Sequence, residues 1–160
     1  MISWLKGEIV HNWQISTKKG VVLNVGGVGY EIQLLPKHLV KVEGSNLIEL
    51  WIHQINREDS TNLYGFIEIN QRDLFRKIIS VNGIGPQIAM CLLDDFNVNQ
   101  LVQAIEDSDI DSLTNSQGVG KRIAQRLVVE LKNKLILFKD NQDQCINNKK
   151  SEISINYTKY

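Results

Sequence analysis

Over the first 66 residues apolar and polar positions alternate in short runs rich in β-branched side chains: Ile2 to Val10, Val21 to Val25, Gly29 to Leu34, Leu47 to Ile55 and Leu63 to Phe66. A period of two turns one face of an extended segment toward a core and the other toward water. Turn-forming residues separate most of the runs, which predicts five or six short strands. So small a sheet leaves adhesive edges unless it closes on itself, and an OB-like barrel is the expected solution. From Leu74 the period lengthens. Leu74, Phe75, Ile78 and Ile79 fall on one face of a helix, and helical spacing continues to about Phe138. After Lys139 the chain turns to Asn, Gln, Lys, Ser and Asp, with too few apolar residues to offset the entropy of ordering. The predicted fold is α+β: an OB-like β-barrel over 1–66, an all-α domain over 67–139 whose first helix begins near Asn70, and a polar linker over 140–160.

The helical half carries an internal repeat. Val81 to Leu93, VNGIGPQIAMCLL, aligns with Ser116 to Val128, SQGVGKRIAQRLV, at a constant offset of 35 residues. Gly83 falls on Gly118, Gly85 on Gly120, Ile88 on Ile123, Ala89 on Ala124 and Leu92 on Leu127; upstream, Phe75 falls on Ile110 and Ile78 on Leu113. Each copy therefore reads helix, Gly-x-Gly turn, helix, a tandem helix-hairpin-helix. Two glycines allow a tight turn and leave no Cβ between backbone and ligand, so consecutive amides at the start of the next helix can face an anion. The helix dipole adds partial positive charge there. The predicted DNA-binding residues are Gly83, Ile84, Gly85 and Gln87 in the first copy and Gly118, Val119, Gly120, Lys121, Arg122 and Arg126 in the second. Contacts of this kind address phosphates and ignore base sequence. An isolated Gly-x-Gly can merely cap a helix, but two copies in register argue for more. A dinucleotide-binding loop needs a preceding strand, whereas helical spacing precedes both copies.

A formal net charge of zero argues against a nucleic-acid partner until the charges are located. Gly118 to Lys139 holds six basic residues, Lys121, Arg122, Arg126, Lys132, Lys134 and Lys139, against Glu130 alone. Asp94 to Ser112 holds six acids and no Lys or Arg. One face can be basic while the total is neutral. No apolar run approaches the roughly 20 residues of a membrane span, and Lys6 and Glu8 interrupt the opening segment, so a cytoplasmic location is expected. Cys91 and Cys145 read as unbridged thiols. His11, His38 and His53 show no metal-ligand spacing, and neither a metal nor a cofactor is expected. Gly26, Gly27 and Gly29 lack the ending of a phosphate loop and read as a turn or bulge. Trp4, Trp13 and Trp51 suit core or interface positions better than base stacking.

VGGVGYE at Val25 to Glu31, REDSTNLYGF at Arg57 to Phe66, LFRKIISVNGIGP at Leu74 to Pro86 and GVGKRIAQRLVVELK at Gly118 to Lys132 together resemble the RuvA family, the junction-recognition subunits of the bacterial Holliday-junction branch-migration machine. The likeness spans about 140 residues, with four motifs in the same order and spacing. It implies a homotetramer, with an octamer as a further state, that holds a four-way DNA junction open and nearly flat. The implied partners are the RuvB hexameric ATPase, which would use the ATP, and the RuvC resolvase. It also implies that Glu58 and Asp59 form an acidic pin where the strands cross, disfavouring phosphates near the axis. Two departures stand out. The family carries a Lys after Gly-Pro in the first hairpin, where this chain has Gln87. The family's third domain, which contacts the motor, has no counterpart in a tail ending at Tyr160, so the chain is either a fragment or uncoupled from the motor. The competing readings are a single-strand-binding barrel and a helix-hairpin-helix lyase or glycosylase. The latter needs a catalytic Asp or Lys just beyond the second hairpin, yet Gly118 to Leu131 contains no Asp and its first acid is Glu130.

Overall fold

The computed structural model describes residues 1–135, apart from Glu43 and Asn133. The polar linker predicted at 140–160, Cys145, and the last residues of the helical pattern at 136–139 lie outside the described residues. Five strands, β1 (Trp4–Ile15), β2 (Lys18–Val25), β3 (Val28–Leu34), β4 (Leu47–Asn56) and β5 (Thr61–Phe66), close a barrel in the order β1-β2-β3-β5-β4. Closure depends on β1 being long enough to serve two neighbours. Trp4 to Glu8 pair with β4, and Glu8 to Ile15 pair with β2 across a register shift between Ile9 and His11. Such a bulge bends a strand sharply, which lets one strand turn the corner of a small barrel. The parallel pairing of β3 with β5, Ile32 opposite Leu63 and Leu34 opposite Gly65, completes the circuit and removes the edges.

Alternate positions point inward as the two-residue period requires. Val21, Leu23, Ile32, Leu34, Leu50 and Ile52 are fully buried in the barrel interior. Gly26 and Gly27 form the two-residue turn joining β2 to β3, both at positive φ, in keeping with the turn read from the sequence. Two features differ from expectation. Strand β1 runs on to Ile15, because its second half gains a partner in β2 that local pattern does not reveal. A short helix, α1 (Pro36–Val42), follows β3 where no element is predicted; it starts on a proline and packs Leu39 and Val42 against the barrel core.

The helical half comprises α2 (Ile69–Ile79), α3 (Pro86–Asp95), α4 (Val98–Glu106), α5 (Ile110–Thr114) and a last helix, α6, covering 121–132. Their apolar faces converge on Leu74, Phe75, Ile78, Leu92, Leu93, Leu101, Ile105, Leu113, Leu127 and Leu131, all fully buried. Helix α4 starts on a reciprocal capping box between Asn97 and Gln100, which gives two terminal amides partners. Barrel and helices are joined by more than the chain. Tyr64 and Phe66 of β5 belong to the helical core, with ring centroids 5.2 and 5.1 Å from that of Phe75 in α2. An aromatic hub of this kind is worth about 3–5 kcal/mol on truncation to Ala, so the halves are expected to unfold together. Among the described residues no helix is long and apolar enough to cross a membrane.

Candidate nucleic-acid interface

The two Gly-x-Gly segments fold into the same corner. Gly83 sits at φ +81° and Gly118 at φ +82°, a left-handed conformation that costs L side chains about 1–2 kcal/mol. The amide of Ile84 donates to the Val81 carbonyl at 3.1 Å, and that of Val119 to the Ser116 carbonyl at 3.0 Å. The next helix is then opened by Ala89 donating to Gly85 at 3.2 Å and Ala124 to Gly120 at 3.0 Å. The repeat seen in the sequence is thus a repeat of backbone geometry, bond for bond.

Gly85 and Gly120 answer a different question. Gly85 has φ −88° and ψ 169°, an extended conformation open to any residue, and Gly120 likewise lies outside the left-handed region. A Cβ built on either would meet no atom within 4 Å. Neither backbone conformation nor internal packing calls for glycine here, which leaves close approach by something outside the chain as its physical use. Among the described residues, the amides of Gly83, Gly85, Gly118 and Gly120 find no acceptor. The first turn of each following helix adds further unpaired amides, one fewer at α3 because its first residue is Pro86.

The predicted contact residues divide into three groups. Lys121 and Arg122 are exposed on the first turn of α6, beside the second corner, where cations can meet neighbouring phosphates. Ile84 and Val119 sit inside their turns. Their side chains are buried and their amides donate within the turn, so each pegs its corner into the core. Gln87 and Arg126 are already engaged. The Gln87 and Gln33 amides donate to each other reciprocally at 3.0 Å, tying α3 to β3. Arg126 donates from Nη1 to the Asn82 carbonyl at 2.8 Å, lies over Gly83 and stands 4.0 Å from Glu130. It straps the second hairpin to the turn of the first, beside a crevice of about 330 Å³ lined by Gly83, Ile84, Arg122, Ile123, Gln125 and Arg126.

Several structurally decisive residues carried no sequence signal. Lys37 donates from Nζ to the carbonyls of Leu93, Asp94 and Phe96 at the end of α3, the last two at 3.1 Å, while its amide donates to Asp94 Oδ1 at 3.0 Å. Burial, partly countered by Asp94, lowers its pKa from the usual lysine value. Arg72, 8% exposed, stacks over Trp51 at 5.1 Å and donates to the Ser3 carbonyl at 3.3 Å. Arg76 donates from Nε to His53 Nδ1 at 3.1 Å; burial and then the two arginines lower the His53 pKa. His38 is fully buried in α1 with both ring nitrogens unpartnered, and burial, reinforced by Lys37 and Lys41, lowers its pKa to about 4. Among the described residues no group of His, Cys, Asp and Glu could hold a metal ion.

Comparison with known proteins brings these observations together. The RuvA N terminal domain matches residues 1–65, and a SAM-like helix-hairpin-helix tandem matches residues 75–133. A Holliday junction branch migration complex subunit RuvA from Prochlorococcus marinus strain NATL2A is 66% identical over 161 residues, covering 100% of this chain and 71% of the relative. The chain belongs to the RuvA family. A RuvA from Prochlorococcus marinus strain MIT 9211 is 50% identical over 143 residues, covering 89% of this chain and 64% of the relative. The position where RuvA proteins are expected to carry a Lys, Gln87, is the one turned toward the barrel by its pairing with Gln33. Glu58 and Asp59, the residues expected from the family resemblance to form an acidic pin, are exposed at the tip of the β4–β5 hairpin. There the Arg57 amide donates to the Ser60 carbonyl at 2.8 Å. Of the three tryptophans, Trp51 lies under Arg72, Trp13 donates to the Val21 carbonyl at 3.3 Å, and Trp4 is 44% exposed.

Proposed function

We propose that the chain binds four-way DNA junctions without sequence preference, as a tetrameric subunit of a branch-migration complex, and performs no bond chemistry itself. The observation that carries this reading is the pair of matched glycine corners, each with amides that find no acceptor among the described residues and each holding a glycine at 85 or 120 that neither backbone conformation nor internal packing requires. Such corners bind phosphate oxygens, and Lys121 and Arg122 supply the charge that draws a duplex in. The names of its relatives point to the Holliday junction as the DNA form. In a four-fold assembly the exposed Glu58 and Asp59 tips would gather at one axis and repel phosphates there, parting the strands while the basic corners hold the arms. A RuvB-type ATPase would supply the work and consume the ATP; this chain would need no cofactor.

Stacking of single strands on the barrel is less well supported, because Trp51 is already covered by Arg72 and Trp13 is hydrogen-bonded to the barrel backbone. Gel-shift titration against a four-way junction, linear duplex and single strands separates the readings. Preference for the junction supports the proposal, and preference for single strands overturns it. Light scattering with and without junction DNA tests the tetramer. Replacing Glu58 and Asp59 together by Asn is expected to preserve or tighten junction binding; marked weakening would contradict a repulsive pin.

A further inference from the structure

We propose that Lys37 is a positioning residue for junction recognition: gripping the C-terminal end of α3 from the barrel, it sets the angle at which the first glycine corner stands to the β4–β5 tip. The inference rests on the junction-binding reading above and deepens it by separating what attracts DNA from what selects its shape.

Helix α3 is built so that it needs an outside cation. It ends in Asp94 and Asp95 and has no basic residue in its last turn, so two carboxylates sit at the negative pole of the dipole beside unpaired carbonyls. An ammonium has three donors, and Lys37 directs them to the carbonyls of Leu93, Asp94 and Phe96. The lysine is itself firmly seated. It follows Pro36 and the fully buried Leu35, and the His38 amide donates back to the Leu35 carbonyl at 2.9 Å.

The opposite end of α3 is held by the same stretch of chain. Gln33, four residues before Lys37, pairs reciprocally with Gln87 on the first turn of α3. A helix tied at both ends to one strand and its exit cannot pivot on the barrel. The second hairpin shows no comparable side-chain hydrogen bond to the barrel among the described residues. Among the described residues, the hydrogen bonds of α6 side chains run to Asn82 and Ser108 within the helical half, and none reaches the barrel. The second hairpin thus holds the exposed cations, and the first holds the geometry that relates corners to tip.

Phosphate contacts to a single duplex arm need the corners alone, whereas a junction also requires them at a fixed distance and angle from the crossover. Loosening α3 should therefore lower discrimination between DNA forms more than affinity. The test titrates linear duplex and four-way junction against wild type, Lys37→Met, Lys37→Arg and Gln33→Leu. Lys37→Met is expected to lower the junction-over-duplex ratio by about fivefold or more, the scale of a coupling between sites, with duplex affinity within about twofold of wild type. Gln33→Leu should shift the ratio in the same direction by less, and Lys37→Arg should restore most of it. An unchanged ratio in folded Lys37→Met, or equal losses on both DNA forms, overturns the proposal; should Lys37→Met fail to fold, Gln33→Leu decides on the same criterion. If wild type shows no junction preference, the preceding reading has failed, and residual dipolar couplings decide the role of Lys37. One alignment tensor for barrel and α3 in wild type but two in Lys37→Met supports the grip, and a single tensor in both refutes it.

Discussion

The two hairpins share a backbone and an apolar face and differ in the polar residues attached to them. After the first corner come Pro86 and Gln87, with α3 bound to the barrel at both ends. After the second come Lys121 and Arg122, exposed, on a helix whose side-chain hydrogen bonds stay within the helical half. Arg126 bridges the two by donating to Asn82. A duplicated fold can thus keep one corner geometry while its copies meet different needs, exposed cations beside one and ties to the barrel beside the other. The same backbone answers both needs because its amides, not its side chains, make the corner.

The largest test of this contrast is electrostatic. Replacing Lys121 and Arg122 together by Ala should weaken duplex binding by about 150-fold or more at low salt, since each charge-assisted contact contributes about 1.5–3 kcal/mol. It should also lower the log–log salt slope by about 1.8. Gln87→Ala should stay within about threefold, as expected for a group that brings no charge to a phosphate. An unchanged slope in the double variant would break the comparison.

Acid should act through the barrel side. The folded-state pKa of His38, about 4, lies below its ordinary 6.5, so the unfolded chain takes up a proton that the fold refuses. Stability is then full above about pH 6.5 and falls as pH drops toward about 4, by about 3 kcal/mol from this group. His53 of β4, which accepts from Arg76 of α2, adds in the same direction. Urea unfolding at pH 7.5 and pH 5 checks the loss, and His38→Leu should flatten the profile; an undiminished slope in that variant would assign the acid sensitivity elsewhere.

The smallest effect separates the two kinds of glycine. Gly118→Ala should cost about 1–2 kcal/mol of stability, because its backbone is left-handed. Gly120→Ser should leave the melting temperature unchanged or raised, since Ser is a good helix cap, yet lower duplex affinity about tenfold by filling the approach to the amides. Equal affinity in Gly120→Ser would remove the ligand-based reason for that glycine.

Much of this was legible in advance because it is local. The two-residue period of Val21, Leu23, Ile32 and Leu34, the helical spacing of Leu74, Phe75 and Ile78, and the 35-residue offset between corners are properties of short stretches, and each became an element or a turn. The short α1 was missed because few of its residues face a core. That Ile84 and Val119 are buried was not legible, because sequence does not show which way the residue between two glycines turns.

By itself, then, the sequence determined a barrel, a tandem of hairpins, and a basic second copy, since periodicity, glycine and charge act on their immediate neighbours. Only the tertiary structure decided that Gln87 faces Gln33, that Arg126 crosses to Asn82, and that Lys37 caps a helix more than fifty residues away. Those contacts join groups distant along the chain, and an amide, guanidinium or ammonium takes whichever acceptor folding brings within reach of its N–H groups.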